Sequence, residues 1–269
     1  MRNFPSTSRR RLVFAMVVLL SFMLLPTAFA DLEALQARGQ AVIAMSGEYP
    51  PFSMPDEDGN MIGFDADVAT EIAVRLGVEP VLQQAEFASI IAGVQTGAFD
   101  ITVASHARTA ERERAVAFVD QPYYFSGAQL FVREDSEFTN LEDLRAANAV
   151  IAVDLGGTNQ QWLEDNDYPN IATYSGVQDS LLAVTSGRAD AIFTSPIVGN
   201  LAILEQDIAI KPIGELLFEE NAWITVANGQ PELVEAIYQA LSDMRADGTL
   251  EEISMRWIGA DITTPPSAD

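Results

Sequence analysis

Residues 103–115, VASHARTAERERA, bring together the side chains of this sequence that are best suited to binding a small anion. A short apolar run ends in Ser105 and the chain's only histidine, and three arginines follow within seven residues. An arginine such as Arg112 presents a planar fork that matches a carboxylate with two parallel hydrogen bonds. A helix that starts near Thr109 would add free N–H donors. The segment predicts a carboxylate site, and a surface ion pair of Arg112 is the alternative.

A second pattern suited to anions lies at residues 155–162, LGGTNQQW. The glycine pair lets the backbone turn sharply at the start of a helix. Gly157, Thr158 and Asn159 can then present N–H groups and side chains to an anion. Glycine pairs before helices are common, so this pattern alone is weak evidence.

The composition excludes several kinds of chemistry. The chain has no cysteine and one histidine, so disulfides, thiolate chemistry and a histidine-based metal site are not expected. The carboxylates lack the spacing of a calcium-binding loop, and we predict neither a metal nor a cofactor. With 15 basic and 39 acidic residues, nucleic acids and anionic membranes are poor partners.

Residues 1–30 predict a cleavable signal peptide, and therefore a periplasmic protein. Four arginines precede the apolar run LVFAMVVLLSFMLLP, and Ala28 and Ala30 supply a cleavage site. A retained anchor is the alternative, but the run is shorter than the roughly 20 apolar residues that span a membrane.

The apolar pattern alternates strands with helices. Strands are predicted at 41–46, 80–85 and 100–105, and amphipathic helices end at Gly77 and Gly97. Such alternation is typical of an α/β fold whose parallel sheets are covered on both faces.

An internal repeat relates two parts of the chain. Residues 94–105, VQTGAFDITVAS, and 184–195, VTSGRADAIFTS, share Val, Gly, Asp and Ser at matching places. Coincidence between two ordinary helix-to-strand turns is the alternative, but the surrounding strand, helix and strand recur too. Ligands of open α/β sheets bind at the carboxyl ends of strands. We therefore predict two similar lobes, with Ser105 and Ser195 facing one crevice.

Two long strands are predicted to connect these lobes, at residues 127–135 and 221–229. The first lobe then comprises residues 31–128 together with residues 225–269, which supply two returning helices and a disordered tail. The second lobe comprises residues 129–224. Two extended crossings form a natural hinge.

Five blocks within residues 41–259 resemble, in order and spacing, the exported solute-binding proteins of the amino-acid type that serve ABC importers. The blocks are EYPPFSMPDEDGNMIGFDADVATEIAVRLG, GVQTGAFDITVASHARTAERERAVAFVDQPYY, GGTN, TSGRADAIF and MRADGTLEEISMRWIG. The resemblance implies a two-lobed type II periplasmic-binding-protein fold. It also implies a monomer that binds a small carboxylate-bearing solute, an amino acid or a related compound, between the lobes and delivers it to an ABC importer.

The resemblance also implies roles for single residues. Thr109 and Arg112 match the turn that holds the ligand's α-carboxylate. Tyr49, Phe52 and Phe87 match positions that sandwich the ligand, and ordinary core packing is the alternative, most readily for Phe52. The full predicted set of ligand-binding residues is Tyr49, Phe52, Phe87, Ser105, Thr109, Arg112, Gly157, Thr158, Asn159 and Ser195.

Two positions depart from the family pattern. Ser195 stands where many amino-acid binders carry an Asp that pairs with the ligand's α-ammonium, and Ala107 replaces a usual Ser or Thr. A serine cannot neutralise a buried ammonium, and an unpaired buried charge is costly. Either another acid, such as Glu48 or Asp154, takes this role, or the ligand has no ordinary α-amino group.

An enzymatic alternative comes from exported cyclohexadienyl and arogenate dehydratases, which share this fold. The chain resembles them in GGTN and in residues 218–222, FEENA, where Glu220 matches their catalytic acid. A carboxyl group beside aromatic walls would have the raised pKa that a general acid needs. We nevertheless predict a binding protein rather than an enzyme, with Glu220 one more acid on a crossing strand.

Overall fold

The computed structural model describes residues 31–265, so the predicted signal peptide at residues 1–30 lies outside the described residues. Strands and helices alternate along most of this range. The first elements are α1 (Leu32–Arg38), β1 (Gln40–Met45), β2 (Met54–Pro55), β3 (Met61–Ile62), α2 (Phe64–Arg75), β4 (Glu79–Gln84), α3 (Phe87–Gln95), β5 (Ile101–Ala107), α4 (Ala110–Ala115), β6 (Val116–Phe118) and β7 (Tyr124–Arg133). They are followed by α5 (Leu141–Ala146), β8 (Ile151–Asp154), α6 (Thr158–Asp165), β9 (Ile171–Tyr174), α7 (Val177–Thr185), β10 (Ala191–Thr194), α8 (Pro196–Gln206), β11 (Ile210–Ala227), α9 (Pro231–Ala246) and α10 (Thr249–Ile258).

Local sequence signals explain where several of these elements begin and end. The side chain of Asp31 caps α1 by accepting a hydrogen bond from the Ala34 N–H at 2.9 Å. Gly39 ends the same helix with a φ of 75°, which glycine adopts without strain. In α2, Val68 and Ile72 lie one turn apart and both are buried. This helix therefore packs its apolar face against the sheet.

The sheet divides into two parallel regions with two long strands between them. Its order is β4-β1-β5-β11-β7-β10-β8-β9, and β6 also pairs with β11. The strands β4, β1 and β5 are parallel at one end, and β10, β8 and β9 at the other. Residues 210–222 of β11 pair with β7, whereas residues 222–227 pair with β5 and β6. The antiparallel pair β7 and β11 therefore joins two lobes.

The buried apolar side chains form two clusters: one lies in the second lobe and the crossing strands, and the other includes residues of both lobes. In the second lobe, Trp162, Phe193 and Phe218 pack with ring centroids 5.7 to 6.2 Å apart. Helices α9 and α10 contact α2, and α9 also contacts α1. The two C-terminal helices therefore pack on the first lobe, although they follow the second lobe in sequence.

The chain stays packed beyond α10. Thr263, the first residue of the predicted disordered tail, is buried, and its carbonyl accepts a hydrogen bond from Arg245 at 3.4 Å. This residue is therefore ordered, and residues 266–269 lie outside the described part of the chain. Between residues 31 and 265, no helix has the length and apolar character needed to cross a membrane.

Candidate functional site

A cavity with about 580 Å³ of empty space, part of it open to solvent, lies where the two lobes face each other. Its lining comes from segments at the carboxyl ends of β1, β5, β8 and β9, from α3, α4 and α6, and from β11. The lining residues are Ser46, Glu48, Tyr49, Phe87, Ala104, Ser105, Ala107, Arg112, Asp154, Gly157, Thr158, Asn159, Ser175, Gly176 and Glu220. Both lobes and one crossing strand thus contribute to a single site, as expected for open α/β sheets.

Most of the predicted ligand-binding residues line this cavity. They are Tyr49, Phe87, Ser105, Arg112, Gly157, Thr158 and Asn159. Phe52, Thr109 and Ser195 are not in the lining. The structure therefore brings the first group together, and the ligand contacts of that group remain predictions.

The guanidinium of Arg112 lies at the boundary between the lobes. It donates hydrogen bonds to the carbonyl of Ala107 at 2.9 Å and to the carbonyl of Gly156 at 3.0 Å. Its carbon lies 5.6 Å from the centroid of the Phe87 ring, a cation–π distance. Burial lowers the pKa of Arg112, against the attraction of Glu220. This side chain is therefore a positive charge held largely away from water at the edge of the cavity.

Thr109 lies outside the cavity lining, and its predicted contact with the ligand stays a prediction. Its hydroxyl caps α4 by accepting the backbone N–H of Arg112 at 3.2 Å, and it lies in grooves outside the cavity. The surface ion pair considered for Arg112 is made by a neighbour instead. Arg108 pairs with Glu113 at 2.6 Å and with Asp120 at 2.9 Å.

The wall formed by Phe87 rests on the histidine. The two rings stack with centroids 4.4 Å apart, and His106 is only 1% exposed. Burial lowers the pKa of His106 well below its ordinary value, with a further contribution from Arg112. His106 is therefore a neutral packing residue beneath Phe87.

The aromatic contact predicted for Phe52 is corrected by the structure. Phe52 is 0% exposed and stacks between Tyr49 and Tyr124, with ring centroids 5.3 and 4.8 Å away. Tyr49 alone of these three rings lines the cavity. Phe52 supports Tyr49 from behind, because the tyrosine separates it from the cavity.

Ser105 lies inside β5 and has a positive φ of 53°. Its N–H donates to the Tyr123 hydroxyl at 2.8 Å, and its own hydroxyl donates to Asp65 at 2.9 Å. The Tyr123 hydroxyl in turn donates to the same carboxylate at 2.8 Å. Burial raises the pKa of Asp65 to about 7, against these two hydrogen bonds. A closed hydrogen-bonded network thus lies directly behind this part of the cavity.

Ser195 does not face the crevice, which corrects the prediction drawn from the repeat. It is 3% exposed, bonds to the Ser126 hydroxyl at 2.9 Å and accepts the N–H of Ile197 at 3.2 Å as the cap of α8. The reason is local. Strand β10 ends before Ser195 and Pro196 begins a helix, whereas β5 continues past Ser105 to Ala107. The two repeated serines therefore occupy different environments.

Three carboxyl groups outside the predicted ligand-binding set also line the cavity: those of Glu48, Asp154 and Glu220. Burial raises the pKa of Glu220, against its hydrogen bond from Thr158 and the attraction of Arg112. Burial also raises the pKa of Asp154, to about 7. Glu48 follows β1 and Asp154 ends β8, so their positions at the carboxyl ends of parallel strands were a usable signal. Glu220 comes from the middle of a crossing strand, which carries no such signal.

The described part of the chain shows no arrangement suited to a metal ion. Between residues 31 and 265, no three or more His, Asp or Glu side chains are grouped to hold one. The polar groups of the cavity are instead one guanidinium, three carboxyls, hydroxyls and an amide. This set suits an organic ligand that carries charges of both signs.

The fold and this site define the class of two-lobed binding proteins that hold a small ligand between their lobes. The family of bacterial extracellular solute-binding proteins, family 3, matches residues 41–260. The chain belongs to that family. Its solved relatives confirm the predicted fold: a mutant of ArgBP from T. maritima has a TM-score of 0.79 and 29% identity, covering 85% of this chain and 99% of that one.

Curated relatives over nearly the whole chain are binding proteins. L-cystine-binding protein TcyJ of Escherichia coli (strain K12) is 28% identical over 95% of this chain and 97% of its own. The putative amino-acid ABC transporter-binding protein PatH of Vibrio harveyi is 34% identical over 85% of this chain and 92% of its own. A solved ancestral amino acid-binding protein, AncCDT-1, a precursor of cyclohexadienyl dehydratase, has a TM-score of 0.78 and 30% identity over 84% of this chain and 99% of its own. These relatives agree with a binding protein rather than an enzyme.

Proposed function

We propose that this chain is the ligand-binding component of an amino-acid ABC importer, and that it acts in the periplasm as a monomer. The observation that carries the proposal is a pair of opposite charges, Arg112 and Glu220, that face one cavity between the lobes. They attract each other but form no ion pair among the described residues. An α-amino acid carries its own two charges on neighbouring groups, so it can engage both.

The α-carboxylate binds at Arg112. The guanidinium is fixed by two backbone carbonyls and by the face of Phe87, so little side-chain freedom is lost when a ligand binds. Helix α6 begins at Thr158, beside the same cavity, and its positive dipole end favours an anion there. Low solvent access strengthens both interactions.

The α-ammonium binds at Glu220. This carboxyl takes the role that the buried Ser195 cannot fill. In the sheet, Glu220 of β11 lies opposite Ser126 of β7, and Ser126 bonds to Ser195 beyond β10. The carboxyl of Glu220 therefore lies two strands away from the position of Ser195, where many amino-acid binders carry their Asp. Two strands correspond to roughly 10 Å at ordinary strand spacing. An amino acid with an ordinary α-amino group remains a suitable ligand.

Binding closes the two lobes. Arg112 of the first lobe bonds to the Gly156 carbonyl of the second at 3.0 Å, and the Val177 N–H donates to the Glu48 carbonyl at 3.2 Å. A ligand that contacts both lobes adds to these bonds and shifts the population toward the closed form. The importer then recognises the closed form.

The test is isothermal titration of the mature chain, residues 31–269, with amino acids. Arg112→Ala is expected to weaken binding at least 100-fold, because a charge-assisted pair in a buried site is lost. Arg108→Ala is the matched control, since Arg108 also pairs with acids and lies over Phe118 and Trp223 outside the cavity. Equal affinities for wild type and Arg112→Ala would contradict the carboxylate assignment.

Glu220 is also the position that distinguishes the enzymatic alternative, because burial raises the pKa of its carboxyl. Glu220→Gln should weaken binding of α-amino acids at least tenfold, and the purified protein should not turn over prephenate or arogenate. Turnover that disappears in Glu220→Gln would instead identify a dehydratase.

A further inference from the structure

The lining of the cavity is acidic overall. Three carboxyl groups, those of Glu48, Asp154 and Glu220, face it together with one guanidinium, that of Arg112. A neutral amino acid brings one charge of each sign, so it would leave this imbalance unchanged. An excess of like charge is costly, most of all at the buried carboxyls of Asp154 and Glu220, and a ligand of the opposite sign relieves it.

Arg112 compensates for only one of these carboxyls. Burial raises the pKa of Glu220, and the attraction of Arg112 opposes that rise. The charged groups that act on Asp154 are Glu48 and Glu220, which are both acidic, and those that act on Glu48 are acidic too. Within the described residues, no Lys or Arg forms an ion pair with Asp154 or Glu48. Two carboxyls on one cavity therefore lack a positive partner from the protein.

Asp154 and Glu48 approach each other from opposite lobes. Asp154 ends β8 and accepts a 3.2 Å hydrogen bond from Ser180 at one of its two oxygens. Glu48 follows β1 in the other lobe, and its carbonyl accepts the N–H of Val177. A methyl group placed on Gly176 would lie 2.8 Å from a carboxyl oxygen of Glu48. The Glu48 side chain therefore reaches the second lobe, on the side where Asp154 lies.

The lining of the cavity also includes a hydrogen-bond acceptor that no donor satisfies within the described residues. The side-chain oxygen of Asn159 is buried and has no hydrogen-bond partner among the described residues. The nitrogen of the same amide donates to the Phe193 carbonyl at 3.0 Å, which fixes the orientation of the group. An unpaired buried acceptor is costly. A ligand with several N–H donors would satisfy it.

We propose that Asp154 and Glu48 form a second charged subsite, which binds a positively charged group at the end of the ligand's side chain. Resting on the proposed function, this defines the substrate class as amino acids whose side chains end in an ammonium or a guanidinium. Arg112 and Glu220 hold the α-carboxylate and the α-ammonium, and Asp154 and Glu48 hold the distal cation. With such a ligand, each carboxyl of the lining has a positive partner.

The experiment compares ligands of matched shape and different charge by isothermal titration at pH 8. Arginine is paired with citrulline, and lysine with norleucine. The cationic member of a pair should bind at least 30-fold more tightly to the wild-type mature chain. Asp154→Asn should reduce that ratio at least tenfold, because the amide keeps the size of the carboxyl and removes its charge. Asp165→Asn is the matched control, since Asp165 is an exposed carboxyl of the same lobe, and it should leave the ratio unchanged.

The outcomes separate the subsite from the proposed function. If amino acids bind but each pair shows equal affinities, or if Asp154→Asn leaves the ratio unchanged, the subsite is overturned and the importer function stands. If no α-amino acid binds, both proposals fail. The wild-type ratio is decisive even where Asp154→Asn does not fold.

Discussion

Ser105 has a left-handed backbone conformation, with a φ of 53°, and two side chains hold it there. Its N–H and hydroxyl are both bonded, to Tyr123 and to Asp65, and these two partners are bonded to each other. A non-glycine residue in this region costs on the order of 1 kcal/mol or more, so the surrounding bonds must offset that cost. This network places Ser105 against the cavity. The carboxyl group of Asp65, which belongs to the network, is fully buried.

The titration of Asp65 should contribute to the pH dependence of the unfolding free energy. Its pKa is about 7 in the folded chain and about 4 in an unfolded chain. Between these values the folded state holds a proton that the unfolded state has lost. The contribution to stability is therefore fully present below about pH 4 and is lost as pH rises through about 7. Asp65→Asn cannot titrate, so its unfolding free energy should fall less steeply from pH 4.5 to 7.5 than that of the wild type.

The measurement is a series of ligand-free thermal or urea unfolding curves across that pH range. Other buried carboxyls, including Asp154, contribute to the slope of both proteins. The difference between the two slopes therefore isolates Asp65. Parallel curves for wild type and variant would show that Asp65 takes up no proton on folding.

The short helix α4 carries Arg112 to the cavity, although the helix has little intrinsic support. It has six residues, Ala110–Ala115, and none is buried. Helices of this length are marginal without other contacts. Its support comes from the Thr109 cap and from the bond of the Arg112 guanidinium to the Ala107 carbonyl. The position of Arg112, the proposed partner of the ligand's carboxylate, therefore depends in part on one capping hydroxyl.

Thr109→Ala should weaken ligand binding by three- to tenfold, corresponding to about 1 kcal/mol for the lost cap. Thr109→Ser keeps a capping hydroxyl and should bind as the wild type does. Isothermal titration with the same amino acid measures both. A loss of 100-fold or more in Thr109→Ala would indicate that Thr109 contacts the ligand directly, as the family resemblance implies.

The closed arrangement of the lobes depends on close backbone contacts as well as on the ligand. The Val177 N–H donates to the Glu48 carbonyl across the boundary, and two glycines allow the approach. A methyl group on Gly176 would lie 2.6 Å from the Cβ of Glu48, and one on Gly156 would lie 2.9 Å from the Cβ of Ala88. Side chains at these positions would hold the lobes apart.

Gly176→Ala should therefore weaken ligand binding at least tenfold without destabilising either lobe. Gly176 has a φ of −155°, which alanine adopts freely, and the three atoms nearest to an added methyl group belong to Glu48 of the other lobe. Small-angle scattering with saturating ligand should show a larger radius of gyration for the variant. The ligand-free melting temperatures should agree within about 2 °C, since the proposed open form, which the ligand-free chain favours, lacks this contact. Unchanged affinity would mean that the lobes close without it.

Much of the site could be predicted from single segments. Arg112 and Tyr49 lie in blocks whose order and spacing resemble a known family, Phe87 matches a family position between two of those blocks, and all three line the cavity. The predicted role of Phe52 fails, since an aromatic residue near a cleft has the same local pattern whether it faces the ligand or the core. The prediction that Ser195 faces the crevice fails for a related reason. The repeat shows that two segments are alike, but it does not show where each strand ends.

The sequence by itself determined the alternation of strands and helices through periodicity and the two lobes through an internal repeat, and its resemblance to a known family indicated the arginine that faces the cavity. Only the tertiary structure decided that Glu48, Asp154 and Glu220 share one cavity. They come from three distant segments, two lobes and a crossing strand. Their proximity exists only when the lobes meet, and the charge that they concentrate, and hence the ligand that suits it, depends on that geometry.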